Sequence, residues 1–321
     1  MLGLSRAFTP IALQRTSYRN PVETYTFISG QLPSGLTFAR ASVGSYTQVD
    51  GALVLAPTAT PRFDYAPIGG LPRGLLLEAA ATNLVDRSTG YSTTSWRRNG
   101  VSVGGPNATS PMAGVLSEMI VEDSSNGRHD IEYNFGSGQA GEAYSASIYV
   151  KQGTRSRVRF RCGRSDSAES ITVNLISGAV EAVGTRVTSH RCEDVGNGWW
   201  RLALTTTLDQ TSTAQYLQVR LLDASGGDSY PGNGSGSINV WGAQREKGNS
   251  TSSHIVTDGA RATRQQDVLT LPPRSGLYDL MLYFDAGITE VRKSVLLSQG
   301  WTFTALSARL SRIEIFPQGS L

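Results

Sequence analysis

The sequence predicts an all-β protein in which a jelly-roll β-sandwich is flanked by a small N-terminal β-hairpin block and a small C-terminal β module. Charged residues make up only 17% of the 321 residues and glycine occurs 35 times, a composition that favours short strands and tight turns over helices. Short runs of alternating polar and apolar residues recur between Gly, Asn, Asp and Ser, which is the spacing of a β-sandwich or jelly roll. No heptad pattern or strict long repeat occurs, so any fibre character would come from assembly of globular β units.

Four segments are distinguished along the chain: an N-terminal arm, a hairpin block, a jelly roll and a C-terminal β module, at residues 1–35, 36–87, 88–248 and 249–321. The arm carries arginines but no acidic residue before Glu23, and it has neither helical nor strand periodicity. Alone it would bury too little surface to offset its backbone entropy, so we expect it to order against another protein.

The hairpin block contains a turn signal at Asp50-Gly51. Two alternating runs, Ser45–Val49 and Ala52–Ala56, flank this pair, and Asp-Gly suits the type I′ turn of a two-residue hairpin. We therefore predict a two-residue β-hairpin at this position.

Each predicted jelly-roll strand has a core face and a presented face, because successive side chains of a strand point to opposite sides. The alternation assigns to the core Tyr144, Ala146, Ile148, Val150, Val158, Phe160, Cys162, Trp200, Leu202, Leu204, Leu217, Val219 and Leu221. The presented faces carry Arg155, Arg157, Arg159, Arg161, Trp199, Arg201, Tyr216, Gln218 and Arg220.

The charge balance and the cysteines limit the classes of partner. The formal charge is +3 and the pI is near 8.9, short of the clustered basic excess of a nucleic-acid binder, so nucleic acid is not expected as a partner. No window approaches the roughly 20 apolar residues of a membrane span, and no signal-peptide core precedes Asn20, so we expect neither membrane insertion nor Sec export. Cys162 and Cys192 are predicted to be buried thiols, a single bridge between them being the alternative.

Short motifs occur in a defined order along the chain. The first part contains Thr37-Phe38-Ala39-Arg40-Ala41-Ser42, Asp50-Gly51, Pro61-Arg62-Phe63-Asp64-Tyr65, Gly74-Leu75-Leu76-Leu77-Glu78 and Thr82-Asn83-Leu84. In order and spacing these motifs resemble a block found in phage tail and head-spike fibre proteins. The following region resembles the carbohydrate-binding jelly rolls of those proteins through Ser147-Ile148-Tyr149-Val150-Lys151, Gly198-Trp199-Trp200-Arg201, Ser229-Tyr230-Pro231-Gly232-Asn233-Gly234 and Val240-Trp241-Gly242-Ala243-Gln244.

The sequence departs from the family pattern after the jelly roll. The family usually has Ser-Tyr-Ile there, followed by Thr-Arg, two alanines and Asp-Val. This chain has Ser253-His254-Ile255 and Thr263-Arg264-Gln265-Gln266-Asp267-Val268 instead. The replaced tyrosine and alanines mean that ligand contacts of the family are not carried over.

The resemblance implies a structural protein of a bacteriophage virion, a fibre or spike subunit on the head or the tail. It implies assembly in the host cytoplasm, a location on the virion surface, a homotrimer, and contact with other virion proteins through the N-terminal region. The jelly roll would bind host surface polysaccharide for adsorption, without enzymatic activity. A glycan-degrading depolymerase and a purely architectural base for another receptor-binding protein are the two alternatives.

Sugar recognition needs flat aromatic rings beside polar groups, since a pyranose stacks its C–H face while its hydroxyls seek amides and charges. The aromatic candidates are Trp199, Tyr216 and Trp96. Trp200 points away from its neighbour Trp199 and is predicted inside, whereas Trp199 forms either a sugar platform or a ring buried beneath a loop or a neighbouring subunit. Trp241 is predicted to be structural.

Alternating arginines supply the charged candidates. Arg157 and Arg159 would stand about 7 Å apart on one strand face, a spacing that fits successive acidic groups of a capsule or lipopolysaccharide. Arg201 and Arg220 extend or repeat the pattern. The alternative is a solvated strand face whose positive charges discourage edge pairing.

Catalytic and metal chemistry find less support in the sequence. Glycoside hydrolysis needs two facing carboxylates, and the candidates near His129 are Glu118, Glu122, Asp123, Asp130 and Glu132. No nucleophile elbow, metal-binding helix motif or P-loop accompanies them, so no catalytic residue is predicted. A glycine-rich loop offers weak candidates for a structural Ca²⁺, namely Asp223, Asp228 and Asn233, for which turn chemistry is the simpler interpretation. We therefore expect no cofactor.

Overall fold

The structure, a computed structural model, describes residues 20–164, 167–304 and 308–321. It confirms the all-β prediction, since this part of the chain has 27 strands and its helical content is a 3₁₀ turn at Asp285–Gly287. Seven strands precede the jelly roll: β1 (Glu23–Thr26), β2 (Thr37–Ala39), β3 (Gly44–Thr47), β4 (Leu53–Ala56), β5 (Phe63–Tyr65), β6 (Pro72–Leu77) and β7 (Ala81–Asn83).

Fourteen strands follow in the jelly-roll region: β8 (Arg97–Asn99), β9 (Val101–Thr109), β10 (Leu116–Glu122), β11 (Asn126–Gly127), β12 (His129–Asn134), β13 (Ala143–Gln152), β14 (Arg157–Gly163), β15 (Ser170–Asn174), β16 (Val180–Val183), β17 (Val187–Asp194), β18 (Trp199–Thr207), β19 (Tyr216–Leu221), β20 (Tyr230–Pro231) and β21 (Ser237–Lys247). The last six strands are β22 (Ala262–Arg264), β23 (Val268–Leu271), β24 (Leu277–Phe284), β25 (Thr289–Leu296), β26 (Trp301–Thr304) and β27 (Ala308–Pro317).

Two antiparallel sheets of six strands each form the sandwich. The sheet that faces the flanking strands, here called the inner sheet, has the order β17-β18-β13-β21-β10-β9, and the outer sheet has the order β16-β15-β14-β19-β12-β8. The chain crosses repeatedly between the sheets, so that β21 lies between β10 and β13 while β19 lies between β12 and β14. This double Greek-key order is that of a jelly roll, as predicted.

The core of the jelly roll contains the side chains that strand alternation assigns to it. The predicted inward residues of β13, β14, β18 and β19 all belong to this core or pack against it. Trp200 is half-buried at its margin and donates its indole N–H to the Leu175 carbonyl at 2.9 Å. Because each buried aliphatic side chain contributes about 1.5–3 kcal/mol, this core is a major source of stability.

Strands from both ends of the chain form a second unit, here called the flanking unit. Its main sheet has the order β25-β24-β27-β6-β5, with β1 also paired to β27, and β2, β23 and β26 form a second sheet. Leu75 and Leu77 of β6 share one core with Leu280 and Leu282 of β24. The segments before and after the jelly roll therefore fold together, and the jelly roll is inserted between them.

The predicted hairpin at Asp50-Gly51 forms between β3 and β4, but its loop has three residues instead of two. Gln48 N–H donates to the Ala52 carbonyl and Gly51 N–H donates to the Gln48 carbonyl, both at 2.9 Å. Gly51 alone in the loop has a positive φ, of 84°. This is a type I turn followed by a left-handed glycine, which corrects the type I′ prediction.

The predicted N-terminal arm is described only in part. Residues 1–19 lie outside the described residues. Within the remainder of the arm, β1 pairs antiparallel with β27, and Tyr25 lies opposite Ile313. Residues 23–26 are thus part of the sheet of the flanking unit.

Candidate functional site

The predicted sugar-binding residues of the jelly-roll strands lie on opposite sides of the sandwich. Trp199 and Arg201 belong to β18 of the inner sheet. The outer sheet carries Tyr216, Arg220, Arg157 and Arg159. Because the jelly-roll core separates the two groups, they cannot line one site.

Both predicted tryptophan platforms are buried. Trp199 is 1% exposed and packs beside Trp241 in a small core between the inner sheet and the flanking unit, where its indole N–H donates to the Thr109 carbonyl at 3.0 Å. Trp96 is 1% exposed in the jelly-roll core and donates to the Arg87 carbonyl at 3.1 Å. Neither ring offers an exposed face to a sugar. This corrects the platform prediction for Trp96 and, of the two alternatives given for Trp199, favours burial. Burial of Trp241 confirms its structural interpretation.

The arginines of the outer sheet are paired with acidic side chains. Arg157 lies 2.8 Å from Glu181, and Arg159 forms an ion pair with Asp228. Arg161 pairs with the buried Glu132 at 3.4 Å. Acidic side chains from other strands and loops therefore neutralise the predicted row of positive charges within the protein.

Arg220 and Tyr216 also belong to this paired face. Arg220 is 1% exposed and contacts Asp130 at 3.3 Å and Asp228 at 3.1 Å. The Arg161 guanidinium lies over the Tyr216 ring, 4.8 Å from the centroid of that ring. A buried arginine and a ring stacked on another arginine contribute to the cohesion of the sheet, which leaves them little surface for a ligand.

The carboxylates near His129 are held by structural partners as well. Glu122 binds Arg155 and accepts hydrogen bonds from the Tyr230 hydroxyl at 2.8 Å and the Asn233 N–H at 3.0 Å. Burial alone would raise the pKa of Glu122, but these hydrogen bonds outweigh burial and lower it. A general acid for glycoside hydrolysis needs a raised pKa, so Glu122 is unsuited to that role.

The three Ca²⁺ candidates are engaged in turns and ion pairs. Asp223 accepts hydrogen bonds from the N–H groups of Ser225 and Gly227, both at 2.8 Å. Asn233 accepts from the Ser235 N–H at 2.8 Å, and Asp228 binds two arginines. Among the described residues no three His, Cys, Asp or Glu side chains group as a metal site. Turn chemistry accounts for this loop.

A crevice runs between the inner sheet and the flanking unit, along the exposed edge strand β17. It consists of four adjoining cavities with volumes of about 200, 180, 50 and 370 Å³. Arg191 lines the first and second cavities, Arg201 the second and third, and Val195 the third and fourth. With a rise of about 3.3 Å per residue, the stretch from Ser189 to Val195 makes the crevice about 20 Å long.

Arginine and hydroxyl side chains line the middle of the crevice. One wall carries Arg191, Glu193 and Arg201 from β17 and β18, and the opposite wall carries Arg309 of β27. The segment from Asn249 to Ser253 covers one end and contributes serine, threonine and asparagine side chains. Donors and acceptors of this kind match the hydroxyl groups of sugars.

Arg201 differs from the other arginines of the crevice. Its Nη2 donates to the Ser252 carbonyl at 2.6 Å and to Ser147 Oγ at 3.2 Å, and its guanidinium lies over the Tyr149 ring at 5.6 Å. Within the described ranges, no carboxylate lies within ion-pair distance of it, and its Nε has no hydrogen-bond partner. Only neutral groups of the protein thus contact this cation.

A buried ion cluster supports the floor of the crevice. Glu78, which lines the crevice, lies 2.8 Å from Arg62 and 3.4 Å from Arg264, and it accepts hydrogen bonds from Ser253. Burial alone would raise the pKa of Glu78, but the two arginines and Ser253 lower it to about 2. The carboxylate is therefore charged at neutral pH and ties the flanking unit to the segment that follows the jelly roll.

Of the predicted site residues, Arg201 lines the second and third cavities of the crevice and the buried Trp199 borders the fourth, whereas sequence reasoning missed the polar residues that lie beside Arg201. Arg191, Arg309 and the segment from Asn249 to Ser253 come from three separated parts of the chain, and no local pattern links them. The one available signal was the polar stretch that directly follows the long buried strand β21.

No helix of the described residues has the length and apolar character that a membrane span requires.

No protein-family model matches the chain, and no curated protein matches it. Among solved structures, the chain is similar to the adhesin domain of Epf from Streptococcus pyogenes, with 10% sequence identity over 90% of this chain and 87% of that chain. The TM-score is 0.25, so this similarity is too weak to bear on function.

Proposed function

We propose that the chain is a non-enzymatic subunit of a bacteriophage fibre or spike, and that it binds host surface polysaccharide through the crevice. The observation that carries the proposal is the crevice itself, a polar cleft about 20 Å long by the rise of β17. A cleft of this length accommodates several sugar units of an extended chain. Its arginine, serine and asparagine side chains provide the hydrogen bonds that orient such a ligand.

The rigidity of both walls supports binding to an extended chain. The inner sheet forms one wall and the flanking unit the other. Ser253 joins them, since its carbonyl accepts a hydrogen bond from Gln244 of β21 and its N–H and hydroxyl donate to Glu78. A preformed cleft loses little conformational entropy when it binds, which favours affinity.

The motifs shared with phage fibre and spike proteins support the virion part of the proposal. Arg40, Arg62, Glu78, Arg264 and Asp267 belong to four of these motifs, and they meet in one ion cluster. On this proposal the subunit is a homotrimer on the virion surface, attached to other virion proteins through its N-terminal region. Each crevice binds weakly, and repetition of the trimer around the particle raises adhesion through effective concentration.

The experiment is binding of the purified full chain to an array of bacterial surface glycans and to host cells. Arg191→Gln is the crevice variant, since this side chain is 57% exposed and its replacement leaves the core intact. Arg157→Gln is the matched control, because it removes a partly exposed arginine from the opposite face of the sandwich. The proposal expects saturable glycan binding that Arg191→Gln weakens and Arg157→Gln does not.

Two outcomes would contradict the proposal. Release of oligosaccharides from a bound glycan would identify a depolymerase. Absence of binding to every glycan by a folded protein, together with tight binding to a second virion protein, would identify an architectural base.

A further inference from the structure

We infer that the crevice takes an acidic polysaccharide and that Arg201, assisted by Arg191, binds a carboxylate of its sugar units. The inference rests on the proposed function and assigns the chemical class of the ligand. It places recognition of the acidic group on the inner sheet, on the side of the sandwich opposite the arginine row of β14.

Arg201 carries a positive charge that no carboxylate in the described part of the chain contacts directly. Guanidinium groups that lie against protein are usually balanced by a carboxylate in contact, because removing a cation from water is costly. Arg201 directly contacts the Ser252 carbonyl, Ser147 Oγ and the face of the Tyr149 ring, while Glu193, Glu246 and Glu78 act on its charge from beyond ion-pair distance. A carboxylate of a ligand would supply the direct ion pair that Arg201 lacks, and guanidinium groups recognise carboxylates through directed hydrogen bonds.

The acidic groups of the crevice already form ion pairs with arginines other than Arg201. Glu193 pairs with Arg191 at 2.7 Å and with Arg73 at 3.8 Å, and Asp64 pairs with Arg309. Glu78 is held by the buried cluster. Asp285 pairs with both Arg73 and Arg309, so that among the arginines lining the second and third cavities Arg201 alone has no acidic partner within ion-pair distance in the described part of the chain.

A polar surface lies next to these arginines. Ser250 and Asn249 are exposed, and Thr251 and Ser252 line the same cavities as Arg191. Hydroxyl and amide groups beside a cation match the chemistry of a uronic or sialic acid, whose carboxylate sits on a ring that carries hydroxyls.

The arginines of the outer sheet are poorer binding sites for this ligand. Arg157 and Arg159 each contact a carboxylate of the protein, and a polysaccharide would have to displace it. Arg201 itself binds without such a displacement, whereas the assisting Arg191 would have to leave Glu193, so Arg201 supplies the principal contact.

The experiment measures affinity of the full chain for polygalacturonate, alginate, hyaluronan and polysialic acid, with dextran and carboxyl-reduced polygalacturonate as neutral probes. The variants are Arg201→Gln and Arg191→Gln, with Arg157→Gln as the matched control. We expect at least one acidic polymer to bind, carboxyl reduction to abolish binding, and each crevice variant to weaken it by tenfold or more. Arg201→Lys, which keeps the charge without the planar donor group, should weaken binding less than Arg201→Gln.

The outcomes separate this inference from the proposed function. Equal affinity for a neutral polymer, or full affinity in a folded Arg201→Gln protein, would overturn the inference and leave glycan binding in place. A loss caused by Arg157→Gln with no loss in either crevice variant would assign the acidic ligand to the outer sheet instead. Absence of binding to all acidic and neutral polymers would contradict both proposals. Circular dichroism and thermal unfolding of Arg201→Gln establish that the variant is folded, and Arg191→Gln provides an exposed substitution if it is not.

Discussion

Arg62 and Asp267 form an ion pair although 205 residues separate them in the chain. Neither side chain is accessible to solvent. Asp267 also pairs with Arg40 at 3.1 Å and accepts a hydrogen bond from the Glu78 N–H at 2.8 Å. Motifs that precede and follow the jelly roll therefore meet at one carboxylate. The charged residues of these motifs thus hold together the parts of the flanking unit that precede and follow the jelly roll.

We predict that Asp267→Asn destabilises the fold by about 3–5 kcal/mol, because it leaves the buried Arg40 without its anionic partner and Arg62 with Glu78 alone. Denaturant unfolding followed by tryptophan fluorescence measures the change. Asp258→Asn is the control, since its side chain is 86% exposed and pairs with Arg87 at the surface. The control should change stability by less than about 1 kcal/mol. Equal losses in the two variants would contradict the role of the cluster.

A second prediction concerns acid stability. The pKa of Glu78 is lowered in the folded protein from 4.5 to about 2, so the unfolded chain binds more protons than the folded one between these values. Stability from Glu78 is complete above the unfolded pKa and is lost as the pH falls toward 2, a change on the order of 3 kcal/mol. Free energies of unfolding between pH 5 and pH 3 should fall less steeply in Glu78→Gln than in wild type. If the free energies of unfolding of wild type and Glu78→Gln fell equally over this pH range, protonation of Glu78 would not be the cause of the lost stability.

A third prediction separates packing from ligand contact at Trp199. Trp199→Ala should cost about 3–5 kcal/mol of stability, because it opens a cavity in the core beside Trp241. Trp199→Phe fills most of that space and should bind glycan within twofold of wild type. A tenfold loss of affinity in a stable Trp199→Phe protein would show that the indole contacts the ligand.

A fourth prediction tests the hairpin between β3 and β4. Gly51 has a φ of 84°, and a Cβ at this position would collide with the Pro67 carbonyl oxygen. Gly69 has a similar φ of 79° and open space around it. Gly69→Ala should therefore cost about 1–2 kcal/mol through the left-handed backbone alone. Gly51→Ala should cost more, and thermal unfolding of the two variants compares them directly.

The local pattern of the sequence was sufficient for the jelly-roll core. Ile148 and Phe160 lie on strands whose apolar residues have a strict period of two. This period assigns both side chains to the core of the sandwich, and the assignment does not depend on the order of the strands in the sheet. The alternation is a property of neighbouring residues, so it can be read without knowledge of the fold.

Contacts between distant segments could not be predicted in the same way. Arg159 was correctly placed on a presented face, but its partner Asp228 lies 69 residues away in a loop, and no local pattern indicates that pairing. Trp199 likewise presents its ring on the predicted side of β18, but the carbonyl that accepts its indole hydrogen bond belongs to Thr109 at the end of β9, 90 residues away. The crevice escaped prediction for the same reason, since its walls meet only after the jelly roll packs on the flanking unit.

The most direct test of the account is hydrogen exchange of the full chain with and without a bound polysaccharide. The edge strand β17 and the segment 249–253 line the crevice, so the account predicts that their amide protons exchange more slowly in the complex. Protection confined to β12, β14 and β19 would instead place the ligand on the outer sheet and contradict the crevice as the binding site.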